Sequence, residues 1–472
     1  MDSSSTQPAA QSNAALAAWY LCGRHRLLWN VPLTAALLVF ILLMLLHGTM
    51  QDPRANLIQS RKALLASAPP KLPDTENAAV DYRLASMNAV RFLGPTEFHP
   101  GTILGKDSRL FERADIQAYL SANALALGQL CKAARLARCN WDLNYLAGTA
   151  MPMRHLPQMR EFARLLAAQA RSQAHAGDHA GAVLALSATF ALARHVESDR
   201  NLLSCLVANA IISVAQHSLQ GIILWDPPTD AKDAAAYRAM VLQDTRCFDR
   251  VAAAFQGEQT FGLYEMDRLA AGNPAAAAAA AAVAGAMPGP GMEFFLPIQY
   301  GADRTCYLNT LNEFVSCSRS RRVISESEFQ KIMDSHRAGP AILTQLIVPV
   351  LSRCQISFIR AEEAHRAMHA ALAVLEYRLK HGHDPRALAD LAPEFLKELP
   401  RGIFGNEPLR MRMDPEGIRE RDGSVHHPGI IRLYFIGENA IDDGGKSNLQ
   451  GMDNTGDDAT FCLPPAPQKA EK

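Results

Sequence analysis

The stretch LLAAQARSQAHAGDHAGAVLALSATFALARHV, running from Leu165 to Val196, decides the fold. Apolar residues recur every three to four positions on both sides of a Gly177-Asp178 break, the spacing of two amphipathic helices joined by a tight turn. The second helix carries Ala182, Leu186 and Ala193 inward. Gly177 with Ala182 matches the turn-to-small-residue spacing of a tetratricopeptide hairpin, in which a small side chain lets two helices approach closely. Gln169 and Gln173 stand where that repeat places apolar or aromatic residues, and no second copy follows at a period of about 34 residues. A helical hairpin array and an irregular helical bundle both fit.

The same period extends outward. From Arg113 to Gly272 alanine and leucine dominate and no alternating run appears, so residues 77–272 read as the first half of a helical body. Asn273-Pro274, Ala275 to Ala282 and the Met287-Pro288-Gly289-Pro290-Gly291 turn formers mark 273–291 as a linker or insertion. Helical spacing returns over 292–385, with Ile342 to Ile359 expected to kink at Pro349. The last segment, 386–472, changes character. Arg386 to Leu399 reads as a final helix, Leu409 to Met413 as a strand, Asp414 to Gly417 as a turn and Ile430 to Ile436 as a second strand. A polar loop from Gly437 to Asp458 and a short apolar stretch, Thr460 to Leu463, follow.

Toward the N-terminus, Leu27 to Met50 contains no Asp, Glu, Lys or Arg. A bilayer core needs about 20 apolar residues in a helix, so 27–50 is expected to be a single transmembrane helix, with Trp19, Tyr20 and Trp29 near one interface. His47-Gly48-Thr49-Met50 lacks small-x-small cleavage chemistry, so the segment is expected to stay attached. Arg24, His25 and Arg26 precede it and Asp52 follows, which favours a cytosolic tail at 1–26 and an extracytoplasmic, periplasmic body anchored in the inner membrane. In residues 51–76, Ala55 to Ala66 can extend the anchor as a helix before Pro69, Pro70 and Pro73 stop it and open a juxtamembrane linker, and the body is expected to start near Asn77.

Forty-seven Lys plus Arg balance forty-seven Asp plus Glu, so no basic field exists to concentrate nucleic acid. The Arg319-x-Arg321-Arg322 cluster reads as a solvated helix face. Of nine cysteines, Cys22 falls on the cytosolic side and eight lie beyond the anchor. That even set permits disulfides in an oxidising compartment. The local candidates are Cys131 with Cys139 and Cys306 with Cys317, against the alternative of buried thiols. None forms a C-x2-C pair, and no Gly-x-Ser-x-Gly elbow or phosphate-binding glycine loop occurs. Weak catalytic candidates are Glu258, set with Glu265 among apolar residues, and Glu362 with His365, which share a helix face with His369. A polar helix face is the alternative reading of that last group.

The loop Gly437 to Asp458 holds six carboxylates against one lysine, Lys446. A hard cation such as calcium takes oxygens from glycine-bearing acidic loops of this kind; a solvated acidic loop is the alternative. The run Phe404-Gly405-Asn406-Glu407-Pro408-Leu409, then Leu433 to Asn439, then Asp442-Asp443-Gly444-Gly445 and Asp457-Asp458 resembles the C-terminal segment of major type II secretion pseudopilins. That resemblance covers about 70 residues. It implies a calcium site with Asn439, Asp457 and Asp458 as side-chain ligands, and with Asp442, Asp443 and the Ile436 carbonyl as further candidates. The prepilin signature is absent: Val31-Pro32-Leu33-Thr34-Ala35 follows Asn30 with no charged fifth position, so processing and fibre assembly are not expected. The whole chain resembles bacterial membrane-anchored α-helical envelope proteins with an Asn-x-x-Asp-Asp-Gly-Gly tail.

The expected fold is thus mainly α, with an N-terminal transmembrane helix, a hairpin or bundle body and a small antiparallel β module. The expected role is a non-enzymatic envelope scaffold or assembly factor with protein partners, linked by resemblance to a secretion or pilus-like machine. A membrane-anchored hydrolase with its site in a groove of the body is the alternative. Convergent carboxylates or histidines in a deep pocket would favour the hydrolase, and a broad concavity the scaffold.

Overall fold

The structure is a computed structural model that describes residues 51–242, 247–274, 276, 292–336, 342–419, 425–446 and 458–466. The expected transmembrane helix at 27–50, most of the 273–291 linker and Asp457 lie outside them. The described chain is mainly helical, with a three-stranded antiparallel sheet near its C-terminal end. Its helices are α1 (Pro53–Ser67), α2 (Ala78–Asn88), α3 (Ala114–Ala122), α4 (Ala124–Ala134), α5 (His155–His175), α6 (His179–Glu197), α7 (Leu202–Trp225), α8 (Ala231–Leu242), α9 (Cys247–Ala270), α10 (Met292–Arg319), α11 (Glu326–His336) and α12 (Ile342–His381).

The hairpin at Leu165 to Val196 forms as α5 and α6. Gly177 takes φ +81°, a conformation that costs a glycine nothing, and Asp178 N–H donates to the Gln173 carbonyl at 2.8 Å to close the α5 terminus. The Asp178 carboxylate then accepts from Gly181 N–H at 2.8 Å and caps α6. Ala182, Leu186 and Ala193 are fully buried. Helix α7 is the one described helix long and apolar enough to cross a bilayer. It instead runs through the core, packed on α5 and α6.

Two apolar cores share α12. Phe358 and Ile359 belong with Phe255, Phe314 and Phe329 of α9, α10 and α11, whereas Ala367 to Leu375 belong with α5 to α8 and with the sheet residues Leu433, Phe435 and Phe461. Forty residues of helix reach about 60 Å, long enough to tie the two together. Pro349 does not end it.

The sheet has the order β1 (Arg410–Asp414), β4 (Ile430–Phe435), β5 (Ala459–Leu463), with β2 (Ile418–Arg419) and β3 (Val425–His426) as a separate ribbon. One face of β4 enters the core. On α7, Gln220 exchanges two hydrogen bonds with the Cys462 backbone, at 2.7 and 2.8 Å, and so fastens β5 to the helical body.

Three expectations need correction. The body starts before Asn77: the helix over Ala55 to Ala66 forms as α1 from Pro53, where Pro at the first turn and the Asp52 cap start it, and it docks on the body, with Asn56 donating to Tyr300 Oη at 2.9 Å. Arg386 to Leu399 forms only a single 3-10 turn, Leu388–Leu391, since Pro393 withholds the donor a longer helix needs. Neither local cysteine pair is bridged: Cys131, Cys139 and Cys317 are free thiols. Cys306 and Cys317 lie eleven residues apart on α10, a separation of about 16 Å, far beyond disulfide reach.

Candidate functional site

A cleft of about 720 Å³ lies between α3/α4, α5 and α6, with Met240 of α8 also in its lining. It exists because the facing positions are small. Gly181, Ala185, Ala188 and Ala191 line it from α6, and Ala124 and Gly128 line it from α4. Along α6 the lining runs from Gly181 to Arg194, thirteen residues or about 20 Å of helix.

The departures from the tetratricopeptide pattern face this space. Gln169 and Gln173, one turn apart on α5, are half-buried in its wall. Gln169 makes no side-chain hydrogen bond among the described residues, and the buried Gln173 Oε1 has no donor there. Gln117 is already engaged, donating to Phe111 O at 2.6 Å and Ser172 Oγ at 3.1 Å. The charged lining residues are Arg135 and Arg194, both exposed and without an ion pair among the described residues. His195 Nε2 bonds the Leu136 carbonyl at 2.9 Å, which brings the ends of α6 and α4, and so the two arginines, to the same end of the cleft. Among the described residues, no Asp, Glu or His lines it.

The catalytic candidates do not meet there or anywhere else. Glu362 is buried and accepts from Arg366 Nε at 3.1 Å. His365 is buried and bonds the Val241 carbonyl at 2.5 Å. Burial pulls His369 down to about 4, leaving it neutral. Glu258 sits on α9, where burial pushes its carboxyl up to about 7; its electrostatic neighbours are Tyr307 and Cys354, and Cys354 is two helical turns, about 12 Å, from Glu362. Glu265 is held by Arg268 at 2.7 Å and accepts from Thr149 N–H at 3.1 Å. These carboxylates and histidines work inside the fold.

The described part of the acidic loop, residues 437–446 and Asp458, packs on the Arg432 and Tyr434 face of β4. Arg432, buried on that face, donates to Asp414 Oδ2 at 2.9 Å and to the Gly445 and Gly417 carbonyls, each at 3.1 Å. Tyr434 Oη donates to Asp442 at 3.0 Å, and Asp442 also pairs with Arg410. Asp458 is fully buried. Its two oxygens accept from Gly437 N–H at 3.3 Å and Gly445 N–H at 2.9 Å, pinning both ends of the turn. Even so, burial raises its carboxyl to about 6, and Asp443 and Asp442 add repulsion. Asn439 Nδ2 reaches Asp443 at 3.3 Å. Among the described residues no three His, Cys, Asp or Glu side chains form a metal cage. Asp443 and Asp442 lie near enough to Asp458 to repel its charge, which a cation would relieve.

A second polar cluster escaped sequence reasoning. Arg171, fully buried on α5, donates to Asp226 Oδ2 at 3.2 Å, to Ser108 Oγ at 2.8 Å and to the Lys106 carbonyl at 2.7 Å. Ser108 bonds Asp226 too. His175 bridges Asp226 and Glu112, each at 2.8 Å, and both carboxylates raise its pKa. Serine and histidine meet the same aspartate but not each other, so the nucleophile has no base beside it. The available signal was an arginine on the apolar face of α5.

No protein family, no curated protein and no solved structure matches the chain.

Proposed function

We propose that the protein is an inner-membrane-anchored envelope scaffold whose periplasmic body receives a polypeptide partner in the α3–α6 cleft. The observation that carries this reading is the cleft itself, which is about 20 Å long, mixed in polarity and lined by no carboxylate or histidine. Helical hairpins present such elongated concave surfaces to partner chains, whereas hydrolysis requires a convergent acid and base. The tail contributes stability in this reading, with calcium held by Asn439, Asp442, Asp443, Asp457 and Asp458, and the pseudopilin-like segment points to a secretion or pilus-like machine.

Leu184 lines the cleft and is 63% exposed, so a photo-crosslinking residue fits there without displacing the core. Leu203 on α7, 52% exposed, serves as the control. In intact envelopes, Leu184 should yield a discrete adduct that Leu203 does not. The same adducts from both positions, or none from Leu184, would end this reading.

A further inference from the structure

Resting on that reading, we infer that the occupant of the cleft is an extended internal segment of a partner protein that carries consecutive acidic side chains at one end. Gln169 and Gln173 lie four residues apart on one face of α5, about 6 Å along the helix. Successive same-side peptide groups of an extended chain repeat at about 6.6 Å. Each glutamine offers an amide donor pair, so two of them a turn apart match the carbonyls of two peptide units of an extended strand. Neither amide has a side-chain hydrogen-bond partner inside the described fold.

The length agrees. A cleft of about 20 Å takes roughly six extended residues at about 3.3 Å each. A helix of six residues would cover only about 9 Å and would present no free peptide groups to the glutamines. Polarity fixes the direction: Arg135 and Arg194 stand together at the α4–α6 end, and no acidic residue lines the cleft to neutralise them. Two guanidinium groups at one end select more than one carboxylate. The apolar floor, which includes Leu120, Leu166 and Phe190, favours alternate apolar side chains in the segment preceding the acids.

Gly128 provides the test, because a Cβ built there meets nothing within 4 Å while the residue lines the cleft. Gly128→Leu therefore fills the cleft and leaves the fold intact, a leucine being the better helix former. The full chain in detergent is titrated, by fluorescence anisotropy, with three labelled eight-residue probes of alternating serine and leucine. One is capped at both ends and finishes in two glutamates, one is capped and finishes in two lysines, and one finishes in two serines with a free carboxylate.

The capped glutamate probe should bind at least about tenfold more tightly than either of the others, as expected for charge-assisted hydrogen bonds. Gly128→Leu, and separately Gln169→Ala with Gln173→Ala, should weaken it by about tenfold or more. Arg135→Ala with Arg194→Ala should erase its advantage over the lysine probe. Equal binding of the lysine probe, preference for the free carboxylate, or indifference to Gly128→Leu would overturn the inference. A change of oligomeric mass in Gly128→Leu on sedimentation would overturn it as well, by showing that a second copy fills the cleft. If the Leu184 adduct forms while the probes show no charge preference, only this inference fails and the scaffold reading stands.

Discussion

Arg171 shows how a single side chain holds three segments of this body together. Its guanidinium is fully buried, and burial pulls its pKa down to about 10 even with Asp226 beside it. An ion pair removed from water this completely gives little net stability, but removing one partner strands the other charge. Asp226→Ala should therefore destabilise the chain by ~3–5 kcal/mol, measured by urea unfolding of the full chain in detergent. Arg171→Met added to it should recover part of the loss. An Asp226→Ala change within 1 kcal/mol of zero, on the scale typical of exposed pairs, would show that the cluster is solvated. The residue-level lesson concerns Arg171, Gln169 and Gln173 together. Gln169 and Gln173 share one face of α5 and line the cleft, whereas Arg171, two positions from each, lies on nearly the opposite face in the core; the period reports which way a side chain points without reporting whether a partner or a cleft awaits it.

At the scale of the element, the described part of the acidic loop, residues 437–446, is fastened to the sheet by Arg432, Tyr434 and Asp458. Strands β1 and β4 were legible from alternation and from the Asp414 to Gly417 turn, and the Thr460 to Leu463 stretch proved to be β5. The helix of α1 was legible as Ala55 to Ala66, but its docking was not, because its apolar residues Leu57, Ile58 and Leu64 are sparse; contact with α9 and α10 makes it part of the body. The buried state of Asp458 was equally hidden, since a carboxylate inside a polar loop looks solvated until the loop is seen to turn over the strand.

The raised pKa of Asp458 has a thermodynamic sign. With a folded value of about 6 against an ordinary 3.8, the folded state holds the proton more tightly than the unfolded state. The contribution to stability is therefore full below the ordinary value and is lost as pH rises toward and through about 6. In chelator, the melting temperature of the full chain should fall across that window, and Asp458→Asn should flatten the fall. Calcium should restore the loss at pH 7, because a ligand that binds only the folded form stabilises it by about 2.7 kcal/mol at one hundred times its Kd. Superimposed melts in calcium and chelator would remove calcium from the description.

For the whole molecule, the helical class was legible because alanine and leucine at three- and four-residue spacing persist over more than 150 residues, and the break in character after α12 was legible from glycine and aspartate. What joins the parts was not. The long α12 links two cores, and Gln220 holds the Cys462 backbone across more than two hundred residues of sequence, a pairing no local pattern encodes. Topology carries the prediction at this scale. Protease added to intact spheroplasts should degrade most of the mass of the wild-type chain, leaving a fragment the size of the anchor and tail; complete protection would place the body in the cytosol.

The contact of α1 with α10 sets the mechanics of that arrangement. Gln51 already bonds Thr305 at 3.1 Å and Asn56 bonds Tyr300, so the folded body begins one residue after the proposed anchor ends at Met50. Each free residue of chain gives at most about 3.5 Å of reach, and an anchor that ends at Met50 would leave none to spare. In the proposed arrangement the protein is a post and not a leash, its cleft held at a fixed height above the bilayer and turning only with the anchor helix. A partner must bring its acidic segment to that height, so capture depends on the partner's own slack.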